Sequence, residues 1–139
     1  MLRIELLSWS EARAEAMPIR FAVFVEEQKV PAKIELDEHD AVCMHALARS
    51  GDGTAIGTGR LLPDGHIGRM AVLKPWRGQG VGAALLEHLI DAARQRGDDE
   101  VVLSAQTHAT GFYRKHGFRE EGAVYDEAGI AHQDMRRAL

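Results

Sequence analysis

The run Met70-Ala71-Val72-Leu73-Lys74-Pro75-Trp76-Arg77-Gly78-Gln79-Gly80-Val81-Gly82 constrains this chain more than any other stretch. Apolar residues of strand character lead into it, and a long amphipathic helical pattern leaves it. Glycine at alternate positions lets the backbone turn sharply and brings N–H groups close to a ligand with no Cβ in the way. A helix that opens there adds unsatisfied N–H groups and the positive end of its dipole. The combination predicts a pocket for phosphate or diphosphate. Arg77 at its mouth predicts a charge-assisted fork for the same anion.

Around this stretch the pattern alternates strand and helix. Leu2, Ile4 and Leu6 have the period of a half-buried strand. Ser8-Trp9-Ser10-Glu11 has the form of a capping box, and the helix it starts meets Pro18, which kinks it or begins a second segment. Lys29 to Asp40 is polar and acidic and reads as a surface loop or short helix, its charges solvated. Cys43 to Arg49, Thr54 to Leu62 and His66 to Leu73 read as three strands joined by turns at Ser50-Gly51-Asp52-Gly53 and Pro63-Asp64-Gly65.

The strongest helix is expected over Gly80 to Arg96, with Val81, Leu85, Leu89 and Ala92 in one apolar row and Gly97 as its stop. Val101 to Ala105 predicts a strand deep in a sheet, and Thr107 to His116 a short helix. Phe118 to Tyr125 and His132 to Ala138 predict a hairpin around Glu127-Ala128-Gly129. The 139 residues suffice for one domain spanning 1–139, with no repeat or linker.

A net charge of -4 argues against nonspecific nucleic-acid binding, and against acceptors carried on tRNA. The single Cys43 excludes an internal disulfide and a multi-cysteine zinc site, and fits a cytoplasmic setting. No apolar run approaches the ~20 residues of a membrane span, and the N-terminus lacks a signal-peptide layout. The seven histidines form no convincing ligand spacing, so no metal is expected.

Three phosphate-binding designs compete for the glycines. A P-loop needs Gly-Lys-Ser/Thr, where this chain has Gly82-Ala83-Ala84. A dinucleotide fingerprint wants its first glycine directly behind the strand and an acid at the end of the next one; here Lys74 to Arg77 intervene and Gln106 stands there. The third design uses more of the chain. Arg77-Gly78-Gln79-Gly80-Val81-Gly82 between strand and helix, followed by Gln106-Thr107-His108-Ala109-Thr110-Gly111-Phe112-Tyr113-Arg114-Lys115-His116-Gly117-Phe118, closely resembles the GNAT acetyltransferases. Val23-Phe24-Val25-Glu26-Glu27-Gln28, Leu103-Ser104-Ala105-Gln106 and Ala128-Gly129-Ile130-Ala131-His132 before Met135 resemble the small bacterial ElaA/YjcF-like branch.

The resemblance implies an α/β domain of the α+β type: a mixed, mostly antiparallel sheet flanked by helices on both faces. It implies an acetyl-CoA-dependent N-acetyltransferase acting on a small-molecule or peptide amine in a ternary complex. Pantetheine would run beside Met70-Ala71-Val72 and reach Gln106, where the superfamily usually has asparagine. The diphosphate would lie over Arg77, Gly78, Gln79, Gly80, Val81 and Gly82, with the Val72 N–H on the thioester oxygen. Tyr113 would protonate the departing thiolate. His66, four residues before Met70, is the candidate base, with His132, Glu27 and His45 in reserve and water relay equally open. A noncatalytic acyl-CoA-sensing module would use the same pocket, and the apolar C-terminal strand could pair two copies as a homodimer.

Overall fold

The computed structural model describes residues 1–35 and 37–139, leaving out Leu36, which falls inside the stretch expected as a surface loop. Strand β1 (Arg3–Leu7) is followed by helix α1 (Trp9–Arg20), whose N-cap Ser8 and Glu11 close the expected capping box. Pro18 lies inside α1 and does not end it. The chain then widens into a π-helix over Phe21–Glu27, where Gln28 N–H bonds back to the Val23 carbonyl at 3.0 Å. After the four-residue α2 (Ala32–Glu35) and a 3₁₀ turn (Glu38–Val42) come β2 (Met44–Arg49), β3 (Ala55–Leu61) and β4 (Ile67–Val72). A 3₁₀ turn at Lys74–Trp76 leads to α3 (Val81–Arg96), then β5 (Glu100–Gln106), α4 (Thr110–Lys115), β6 (Arg119–Glu127) and β7 (Ile130–Ala138).

The strands form two antiparallel sheets, β1-β2-β3-β4 and β5-β7-β6. Among the described residues one parallel bridge joins them, between His66 and Val102, supported by the Val102 N–H on the Gly65 carbonyl at 3.1 Å. Beyond it β4 and β5 part, making a fork that opens toward Val72 and Gln106. Hence β5 is not a strand deep in a sheet: past the Val102 bond to Gly65 it is hydrogen-bonded along its β7 edge alone, and Ser104 on its outer face is exposed.

The two faces are distinguished by what they bury. Val81, Leu85, Leu86, Leu89 and Ile90 of α3 pack with Ala46, Ile56, Val101, Leu103, Ala105 and Met135. Ala12, Ala16, Ile19 and Val23 pack with Leu47 and Ala71 on the opposite face. Glycines bring α3 down onto β3: a Cβ on Gly57 would sit 3.0 Å from the Leu85 side chain, and one on Gly59 3.0 Å from that of Leu89. That close approach delivers the N-terminus of α3 to the open end of the fork.

The stretch from Lys29 to Asp40 departs from expectation. Glu35 and Asp40 are buried, paired with the buried Arg20 at 2.5 Å and 2.9 Å, and Arg60 joins Asp40 at 2.8 Å. A solvated loop is the natural reading of a stretch that carries Glu35, Asp37, Glu38, His39 and Asp40 within six residues. Their partners lie on α1 and β3, at sequence separations that local composition cannot report.

Candidate active site

Three elements meet at the open end of the fork. The first is β4, which carries a bulge between its pairings Thr58↔Ala71 and Arg60↔Gly68, with Arg69 at φ 49. Bulges re-aim side chains and end regular pairing. Here the bulge sends the Arg69 guanidinium to the Glu35 carbonyl (3.0 Å) and to Asp37 (3.2 Å). The bond from Leu73 N–H to the Ile56 carbonyl (2.9 Å) fixes the alternation of the antiparallel ladder, so Ala71 faces β3. Met70 and Val72 therefore turn their backbone polar groups to the gap.

The second element is the glycine loop. Gly78 and Gly80 have φ of 76 and 84, and a Cβ on either would meet nothing within 4 Å. Their need is for left-handed backbone, which costs a side-chain-bearing residue about 1–2 kcal/mol. Gly80 caps α3 with no side-chain hydrogen bond, so the first-turn N–H groups are left to solvent or ligand. Gln79 folds back, its amide on the Pro75 carbonyl at 3.1 Å. Val81 is buried against the core, while Gly82 faces Phe112 and Val72 across the mouth.

The third is the end of the π-helix, which carries the reserve base Glu27. Glu27 takes both arms of the Arg77 guanidinium, at 2.6 Å and 2.8 Å, while Arg77 Nε bonds the Val72 carbonyl at 2.9 Å. The hydrogen bonds from Arg77 hold the Glu27 carboxyl below its usual range. Gln28 and Gln106 exchange amide hydrogen bonds at 2.8 Å and 3.3 Å. Two consecutive residues thus tie one arm of the fork to each other's neighbour, Glu27 to the loop after β4 and Gln28 to the tip of β5. The Arg77 guanidinium is consequently committed to protein groups, and the anion donors on display are backbone amides.

Tyr113 lies on α4, half-buried, its ring edge-on to Phe112 (5.0 Å) and Phe118 (6.0 Å). Burial pushes its hydroxyl up to about 12, so it remains protonated and able to donate at any physiological pH. The structure separates His66 from this group. It stands at the closed end of the fork, its ring more than half exposed and held 3.0 Å from Asp64. Six residues of strand, about 20 Å at ~3.3 Å per residue, divide it from Val72. The face expected to be shared with Met70 by period 2 is also lost, because the β4 bulge lies between them and puts Ile67 with Met70 on the α3 side. The reserve His45 is buried beside Trp9 with Nε2 on the Asp40 carbonyl, well inside the α1 packing. Cys43 is buried and its thiol is pushed up to about 11, which offers no thiolate for a covalent route.

A groove of about 780 Å³ runs along α1 and α2, lined by Arg13, Met17, Phe21 and Glu26 among others, and includes none of the fork residues. No helix among the described residues is long and apolar enough to cross a membrane.

The comparisons agree with this geometry. The chain is 37% identical over 131 residues to a Bacillus subtilis protein described as the uncharacterized N-acetyltransferase YjcF, covering 91% of this chain and 93% of that one. The crystal structure of Escherichia coli ElaA superposes with a TM-score of 0.87 at 30% identity, covering 99% of each chain. An acyl-CoA N-acyltransferase from Pseudomonas aeruginosa superposes with a TM-score of 0.88 at 34% identity, covering 99% of this chain and 100% of that one. Residues 10–139 match the acetyltransferase (GNAT) domain, and the chain belongs to that family, in its small ElaA/YjcF-like branch.

Proposed function

We propose that this protein moves the acetyl group of acetyl-CoA to the amine of a small molecule or peptide by direct attack in a ternary complex. The observation that carries the reading is the fork: β4 and β5 bridge once and then diverge, ending where uncapped N–H groups of α3 point outward. Family membership supports acyl transfer from acyl-CoA in general; the acetyl group and the ternary order are the proposed part.

Pantetheine lies in the gap and completes the ladder that β5 leaves unmade, bonding the turned-out edge of Met70 and Val72. The diphosphate rests on the amides of Gly78 to Gly82, with Arg77 shaping the loop through Glu27 and Val72. The Val72 N–H meets the thioester oxygen, and a donor aimed at a developing oxyanion is worth about 2.7–4 kcal/mol. Ala71 faces the α1 side, and Gln106 projects to the same side because Ala105 and Leu103 point into the α3 core. The acetyl group that passes between them is presented to that side. Tyr113 supplies the proton that the departing thiolate needs.

The test is release of free thiol from acetyl-CoA over a panel of polyamines, amino acids, aminoglycosides and peptide amines. Turnover with at least one amine is expected. Tyr113→Phe should lower kcat by about 100-fold or more, as loss of a positioned acid does, with acetyl-CoA affinity kept within twofold. Acetyl-CoA binding with no turnover of any amine by the wild type would favour a sensing module and overturn the enzymatic reading.

A further inference from the structure

Acetyl transfer to an amine moves a proton off nitrogen, and His66 stands at the closed end of the fork, away from where that proton is released. We propose that His132 is the group that takes it, and that the acceptor amine docks beside its sheltered ring on the polar outer face of β5, β7 and β6. The proposal rests on the acetyl-transfer reading.

Gln106, His132 and Tyr125 pair straight across the three strands, so their side chains share one face. That is the α1-side face, since Leu103, Ala105 and Met135 fill the other with α3. Gln106 forms the tip of the fork arm, and His132 is one strand away, about 5 Å between backbones. The next row holds Ser104 and Asp134, and the Tyr125 hydroxyl bonds both, Asp134 at 2.7 Å. The result is a polar floor beginning at the open end of the fork, under the π-helix end that carries Gln28.

Within that floor the ring is set in one state. His132 Nδ1 lies 2.7 Å from the Ile130 carbonyl, which can only accept, so Nδ1 carries the hydrogen. In the neutral ring Nε2 then carries the lone pair. Glu127 is the nearest carboxylate to it at 3.6 Å, too far for a hydrogen bond. The ring stacks on Tyr125, 6.1 Å between centroids and 24° between planes, and its side chain is only 11% exposed. A held, sheltered imidazole with a free Nε2 differs from every other histidine here. His88 bonds its own helix at Ala84 and His116 pairs with Glu87, while His39 and His108 are exposed.

The step balances simply. The ammonium first gives one proton to solvent. The neutral nitrogen attacks the carbonyl carbon, the carbon–sulfur bond breaks, His132 Nε2 takes the remaining surplus proton from nitrogen, and the thiolate is protonated by Tyr113. His132 then passes its proton to water, from which Tyr113 is restored. The titratable groups around the row are Glu127, Tyr125 and Asp134, with Glu27 held against Arg77 on the π-helix.

The experiment is a pH–rate profile of kcat/KM on wild type, His132→Asn and His132→Gln, with acetyl-CoA affinity and thermal midpoint measured alongside. On the acid side the wild type should fall about tenfold per pH unit while the amine alone takes a proton, and about a hundredfold per unit once the imidazole takes one as well. His132→Asn should lose about 100-fold in kcat/KM together with the steeper part of that limb, with cofactor affinity within twofold. His132→Gln should behave as His132→Asn does. Two results overturn the proposal: His132→Asn within threefold of wild type, or a weakened His132→Asn that keeps the steeper part of the limb, which marks a packing role. Should neither variant fold, a wild-type limb that never steepens overturns it as well. Failure of the underlying reading looks different, since wild type itself would then release no thiol.

Discussion

The two halves of the sheet are dressed differently on the face that α1 approaches. Over β2 to β4 the face is sealed: Ala12, Ala16, Ile19 and Val23 cover Leu47 and Ala71, and Arg20, Glu35, Asp40 and Arg60 form a buried ionic cluster. Over β5 to β7 the same face is polar, with Ser104, Tyr125 and Asp134 exposed, Gln106 half-buried and His132 sheltered among them. The fork marks the border between them. One half spends its charges on holding α1, the π-helix and α2 in place; the other leaves its polar groups for a ligand.

The largest effect should come from breaking the sealed half. Arg20→Met strands Glu35 and Asp40 in the interior, and removing one partner of a buried pair costs about 3–5 kcal/mol. Chemical denaturation should show that loss. A cost under about 1 kcal/mol would place the cluster among the ordinary surface pairs. At the border, Gly80→Ala has room for its methyl but a backbone at φ 84. It should cost about 1–2 kcal/mol and weaken coenzyme A binding along with it. Unchanged stability would show that the loop relaxes freely.

Acid should loosen the sealed half before the open one. Arg60 donates to Asp37 and, with Arg69 nearby, lowers its pKa from the ordinary 3.8 to about 2. A lowered carboxylate stabilises the fold above its unfolded value and loses that contribution as pH falls toward the folded one. Linkage gives about 2 kcal/mol for such a shift, and solvent around the partly open Asp37 screens it, so between pH 5 and 2 the wild type should lose about 1 kcal/mol more than Asp37→Asn, read from urea melts. Equal losses would remove Asp37 from the account. The smallest effect belongs to the open half, where Arg136 joins Glu100 and Glu121 in exposed pairs. Arg136→Ala should cost well under about 1 kcal/mol.

What the sequence disclosed divides along similar lines. The capping box at Ser8, the row Val81, Leu85, Leu89, the stop at Gly97 and the hairpin turn at Ala128-Gly129 are local patterns, and each stands where it was expected. The pairings of Glu27 with Arg77 and Gln28 with Gln106 join residues 50 and 78 apart. No period or motif announces such contacts, although the adjacency of Glu27 and Gln28 in a matching family motif was a hint. His66 was misplaced for a related reason. Period 2 foresees neither the bulge that turns its face away from Met70's nor the place where two strands separate.

The central claim is that a diphosphate rests on the amides at the start of α3 while pantetheine fills the fork. Calorimetric titration with coenzyme A and with pantetheine separates those two parts of the ligand. Coenzyme A should bind at least about 100-fold more tightly than pantetheine, the equivalent of two charge-assisted hydrogen bonds. Equal affinities, or no binding of coenzyme A at all, would contradict the account.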